Sequence, residues 1–139
     1  MTETYQIENV PLFANLPRAQ LEPLRKDAVR QIFKAGETIF NHGDLPEYLY
    51  IVEEGVVDIV LPAKGDEIIL ASLEAGSFFG ELSVFDSHPR TATARATADA
   101  SLVCIPLSSI AALINRSPNA ASQFMSVIIH RLRTADELL

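Results

Sequence analysis

Between residues 78 and 94 the chain reads FFGELSVFDSHPRTATA, a mostly small or apolar stretch that sets Glu81 after Gly80 and Arg90 after Pro89, nine positions apart. An arginine presents a planar fork that grips two oxygens of a phosphate. A carboxylate accepts hydrogen bonds from hydroxyls. Together the two suit a ligand that carries both a phosphate and a sugar hydroxyl. Gly80 allows close backbone approach. Leu82, Val84 and Phe85 have the spacing of one short helical turn anchored to the core, whose leading N–H groups would attract an anion. Pro89 then ends the turn and presents Arg90 rigidly. The ligand-free alternative is a Glu81–Arg90 ion pair that caps the turn.

Residues so placed need a frame. From Val29 onward, short β-rich runs (VRQIF, ETIF, YLYIVE, VVDIVL, EIILASL, TATARAT, ASLVCIP) are separated by turn signals at regular, short intervals, the mark of an antiparallel sandwich or barrel. The ends differ. LPRAQLEPLRKDA has helical character, with Pro17 suited to a first turn and Pro23 expected to break or restart the helix. After the last strand, Ser108 is the expected N-cap of a helix that ends before Pro118, and Ser117-Pro118 opens a longer one. Along that last helix Ala121, Met125, Ile128, Leu132, Ala135 and Leu139 form one apolar stripe. It must be covered, either by the chain's own β body or by a second copy in a short dimer seam.

Composition narrows the class. The 139 residues fit one domain (1–139) able to bury a proper core, and 48% hydrophobic content argues against disorder. Eleven basic against eighteen acidic residues, a formal charge of −7, disfavour direct nucleic-acid binding. No apolar run is long enough to span a bilayer and no secretion signal opens the chain, so no membrane role is expected for it. The single cysteine, Cys104, sits in an apolar run and reads as a small buried hydrophobe, which with the missing signal points to a reducing, cytoplasmic setting. His42 reads as a turn residue, His88 as a loop residue beside the phosphate and His130 as a helix-surface or lid residue. Their spacing offers no metal site, and no paired carboxylates or Ser-His-Asp set argue for an enzyme.

The segment FFGELSVFDSHPRTATARA closely resembles the phosphate-binding cassette of cyclic-nucleotide-binding domains, found in catabolite-activator-type regulators, cyclic-AMP-dependent kinase regulatory subunits and cyclic-nucleotide-gated channels. Phe79, Gly80, Glu81, Leu82, Ser83, Pro89, Arg90, Thr91 and Ala92 match in kind and spacing. PLFANLPRAQL is similar to the family's N-terminal helical motif, FKAGETIFNHGDLPEYLYIVEEGVVDIV to its first barrel half, and the last two helices to its lid. The resemblance implies a mainly β fold with flanking helices: an N-terminal helical motif (about 1–28), an antiparallel β-roll or jelly-roll barrel (29–106, cassette 78–92) and two C-terminal hinge or lid helices (107–139). It further implies that Glu81 holds a ribose 2′-hydroxyl and Arg90 an exocyclic phosphate oxygen. Gly80 and Ser83 would complete the cradle through backbone amides, bordered by Thr91 and Ala92. Thr91 leaves the base, adenine or guanine, open. Arg131, Leu132 and Arg133 are candidates to cap it. Ser87-His88 depart from the small pair common before Pro-Arg.

The expected function is a sensor of cyclic AMP or cyclic GMP that signals through its C-terminal helix, without catalysis, cofactor or metal. Its partners would be the cyclic mononucleotide, a protein effector or fused output domain, and a second copy through the last helix. An alternative keeps the fold as an interaction or scaffold module, perhaps with a cyclic dinucleotide. Both a small complete receptor and a sensor within a longer polypeptide fit the sequence.

Overall fold

Eight strands form from the β-rich runs in the computed structural model, which describes residues 7–137. They are β1 (Val29–Phe33), β2 (Thr38–Phe40), β3 (Tyr48–Glu54), β4 (Val57–Ala63), β5 (Asp66–Leu73), β6 (Phe78–Phe79), β7 (Thr93–Ala96) and β8 (Ala100–Pro106). All but the two-residue β6 coincide with runs read from the sequence. Two antiparallel four-stranded sheets result, ordered β1-β8-β3-β6 and β2-β7-β4-β5. This is the expected jelly-roll-like arrangement with flanking helices.

Alternate side chains of a strand point to opposite faces. In β3, Tyr50 and Val52 pack between the two sheets while Leu49 and Ile51 face the helices. β8 repeats the division, with Leu102 and Cys104 between the sheets and Val103 and Ile105 toward the helices. Double burial explains why these strands read as unbroken apolar runs, since a strand with one wet face would alternate. β6 splits the same way: Phe78 joins the helical core and Phe79 the inter-sheet core.

The helices close the outer face of the first sheet. After a 3-10 turn at Pro11–Phe13 come α1 (Arg18–Asp27), α2 (Ser83–Asp86), α3 (Leu107–Arg116) and α4 (Pro118–Glu137). Leu12, Phe13, Leu21, Leu24, Ile110, Leu113, Phe124 and Ile128 form one core with Leu49, Ile51, Val103 and Ile105. Within it the rings of Phe13 and Phe124 meet edge-on at 6.4 Å.

Three local expectations are corrected. Pro23 lies inside α1 without breaking it. The proline forgoes one backbone bond, but Leu21 and Leu24 on either side are fully buried, so packing overrides the local preference. Ser108 is in the first turn of α3 rather than at its N-cap, which is Pro106, and Ser109 instead bonds Asp27 at 2.8 Å. Ser117 caps α4 as expected, its hydroxyl accepting the Ala120 N–H at 3.2 Å with Pro118 next in line.

The third correction concerns the α4 stripe. The buried line runs Ala120, Phe124, Ile128, at steps of four, so only Ile128 of the described stripe is buried. Met125 and Leu132 are 53% and 54% exposed, with Ile129 beside them at 45%. A heptad stripe drifts around a straight helix, and here the drift carries its members off the body. The Ala135 side chain and Leu139 lie outside the described residues.

Candidate functional site

β6 leads directly into the cassette. Gly80 turns the chain at φ +84°, and a Cβ there would lie 2.8 Å from Arg90 Nη1 and 3.1 Å from the Tyr48 carbonyl oxygen. Only glycine lets the arginine lie against this backbone. The four-residue α2 follows and stops at Ser87, which adopts the left-handed conformation (φ 53°), while Asp86 Oδ1 accepts the His88 N–H at 3.0 Å. Ser87, not Pro89, therefore ends the turn. Of the three apolar residues expected to anchor it, Val84 packs on the helical core. Leu82 and Phe85 are half exposed, and Phe85 meets Phe124 edge-on at 5.9 Å.

Pro89 and Arg90 are then tied to the β2–β3 turn. Arg90 N–H donates to the Asp44 carbonyl at 2.8 Å, and Gly43 N–H donates to the Arg90 carbonyl at 2.7 Å. Between the two halves of the cassette lies a cavity of about 270 Å³. Phe79, Gly80, Glu81, Leu82, Ser83, Pro89, Arg90, Thr91 and Ala92, the whole set expected from the sequence, line it. Phe40 of β2, Ile59 of β4, Asp86 and His88 complete the wall. Phe40 and Ile59 were not expected. Their strands read clearly as strands, but periodicity cannot say which inward residue meets a distant loop.

Arg90 and Glu81 are both buried, at 6% and 8% exposure, and do not pair with each other. Arg90 Nη2 donates to the Tyr48 carbonyl at 2.6 Å, and Nη1 to the Gly80 carbonyl at 3.3 Å and Ser83 Oγ at 3.4 Å. All of these acceptors are neutral. No carboxylate among the described residues stands within ion-pair distance of this guanidinium. Burial accordingly pulls the Arg90 pKa below its ordinary value, against upward pulls from Tyr50, Glu81 and Asp44. Glu81 has the opposite arrangement. Arg131 of α4 donates to its Oε1 at 2.6 Å and to the Phe78 carbonyl at 2.8 Å, with the guanidinium carbon 3.7 Å from the centre of the Phe78 ring.

Of the three residues considered for capping a base, only Arg131 reaches the cassette. Leu132 and Arg133 are exposed, and Arg133 lines a groove on the outer side of α4 with Ala121, Met125 and Ile129. His88 is an exposed loop residue at the cavity, its Nδ1 3.0 Å from the Pro89 carbonyl; His42 lies in a turn and His130 on the surface of α4. No described helix is long and apolar enough to cross a membrane.

The family model for the cyclic nucleotide-binding domain matches residues 30–117, which contain the barrel and the whole cassette. The chain belongs to this family. The cyclic AMP receptor protein of Thermus thermophilus is 35% identical over 127 residues, covering 91% of this chain and 59% of the relative. A cAMP-dependent protein kinase regulatory subunit of Blastocladiella emersonii is 33% identical over 97 residues, covering 69% of this chain and 24% of that one. Among solved structures, the N-terminal domain of a transcriptional regulator from Streptomyces coelicolor A3(2) superposes with a TM-score of 0.74 at 34% identity, covering 93% of this chain and 92% of that one. This cyclic nucleotide-binding domain thus spans less than two thirds of the curated Thermus relative and nearly all of the Streptomyces domain.

Proposed function

We propose that this domain senses a cyclic mononucleotide, cyclic AMP or cyclic GMP, and passes occupancy of its site to α4. The observation that carries the reading is Arg90, a buried guanidinium that lines the cavity without a carboxylate in ion-pair range. A buried cation held only by neutral acceptors favours an anionic guest. On this reading Arg90 holds the exocyclic phosphate, and Glu81 accepts from the ribose 2′-hydroxyl while keeping or sharing Arg131. Gly80 and Ser83 border the cradle through their amides. The cavity, about 270 Å³, stands at the small end of ligand pockets, which suits one nucleotide better than a dinucleotide.

Output follows from Arg131. Because it ties α4 to Glu81 and Phe78, whatever the ribose does to Glu81 acts on the helix. The exposed Met125, Ile129 and Leu132 on the outer side of α4 support self-association through that helix. We place the module in the cytoplasm as a non-catalytic regulator, acting on a protein partner or a fused output domain. The Thermus and Blastocladiella relatives are named as a receptor and a regulatory subunit, which supports such a role.

Isothermal titration calorimetry of purified, nucleotide-free protein against cyclic AMP, cyclic GMP and a cyclic dinucleotide tests the reading. Binding of one mononucleotide that is lost in Arg90→Ala is the expected result, and it also settles the base. Folded protein that binds none of the three would overturn the sensor reading in favour of a partner-binding scaffold.

A further inference from the structure

Arg90 must be held firmly without being neutralised, and hydrogen bonds to carbonyls along its edges leave its flat faces unaccounted for. The Arg90 guanidinium carbon lies over the Phe40 ring, 4.3 Å from its centre, well inside the roughly 6 Å range of a cation–π contact. Tyr50 stands at 5.8 Å, near the limit of that range. We propose that Phe40, far from the cassette in sequence, is a positioning residue of the anion site, fixing the Arg90 fork against the carbonyls of Tyr48 and Gly80 while leaving its charge available to a phosphate. The inference rests on reading Arg90 as the phosphate holder.

Several features support the assignment. An aromatic face attracts a cation through its quadrupole and adds no net charge, whereas a carboxylate in the same place would cancel the cation. Phe40 is itself braced, by Tyr50 at 5.7 Å and Phe79 at 6.0 Å, and those two rings stack at 5.0 Å with 13° between their planes. Burial pushes the Tyr50 hydroxyl up to about 12, so this neighbour stays neutral and supplies no counter-charge at ordinary pH. The β2–β7 pairing shifts register between Thr38 and Phe40, an irregularity of the kind that re-aims a side chain. Phe40 also lines the cavity with Arg90, so the ring and the guanidinium it supports share one wall.

The test uses the full chain and whichever cyclic nucleotide the parent binds. Phe40→Leu keeps the apolar bulk and removes the ring; Phe40→Tyr keeps the ring. We expect Phe40→Leu to weaken binding on the order of tenfold, Phe40→Tyr to restore it, and Phe40→Leu to cost less than about twofold when Arg90 is already glutamine. Side-chain N–H signals of Arg90 in the ligand-free protein, read by NMR, should carry a ring-current shift that Phe40→Leu abolishes and Phe40→Tyr retains. Should Phe40→Leu unfold, the Arg90 shift in the parent and in Phe40→Tyr decides alone. Undiminished affinity in Phe40→Leu while Arg90→Gln is impaired, equal losses in both backgrounds, or no ring-current shift would overturn the proposal. A parent that binds no cyclic nucleotide, or an Arg90→Gln variant that binds as tightly as the parent, would instead overturn the reading beneath it and this proposal with it.

Discussion

The two ends of the cavity hold buried groups of opposite charge, yet they are solved differently. Glu81 is balanced by a cation, and that cation arrives on α4. Arg90 is balanced by nothing charged; two carbonyls, a hydroxyl and an aromatic ring, all from the β body and the cassette, hold it. The contrast divides the labour of the site. Affinity for an anion resides where charge is left over, at Arg90, and communication resides where balance depends on a separate helix, at Glu81.

Breaking the Arg90 end gives the largest expected effect. Arg90→Ala should cost about 2–5 kcal/mol of ligand affinity, a loss of roughly thirtyfold or more by calorimetry, because it strips the phosphate of its charged partner. Its melting temperature should change little, since no ion pair is lost with it. At the Glu81 end the order reverses. Arg131→Ala leaves a buried carboxylate without its donor and should destabilise the fold by about 1–3 kcal/mol in urea titration, with faster amide exchange along α4. Adding Glu81→Gln should recover part of that loss, and no recovery would mean that Arg131 acts through Phe78 alone.

A subtler difference concerns alkali. Beneath Arg90, burial raises Tyr50 from 10.0 to about 12 and Cys104 from 9.0 to about 12. Both groups are neutral in the fold and would ionise earlier when unfolded, so their contribution is full below pH 9 and declines as pH rises toward about 12. Unfolding free energy measured across that window should fall, and a Tyr50→Phe, Cys104→Val variant should show a flatter decline.

Legibility followed the range of the interactions. Strands with two buried faces announced themselves, because β3 and β8 each feed two cores and so read as continuous apolar runs. The cassette was equally plain, since its residues lie close in sequence and their types match their chemistry. What escaped depends on contacts across the fold. Phe40 looks like any strand aromatic until the β2–β7 register sets it under Arg90, and the Tyr48 carbonyl has no residue-type signal at all. Burial of Leu21 and Leu24 outweighed the penalty at Pro23, and a step-of-four face on α4 displaced the stripe that heptad spacing marked. Arg131 was singled out among three neighbours for a possible base contact; only the turn of the helix shows that it, and not Leu132 or Arg133, reaches the cassette.

The lone thiol has a practical consequence. Cys104 is fully buried between the sheets and holds its proton far above neutral pH. Reagents that alkylate thiolates in the native protein will pass it by. A cysteine introduced at exposed Ser126 on α4 and another at exposed Lys64 on the β4–β5 turn would then take spin labels or fluorophores alone. The wild-type background thus already serves as a silent frame for a distance ruler that reports whether α4 moves when a nucleotide enters.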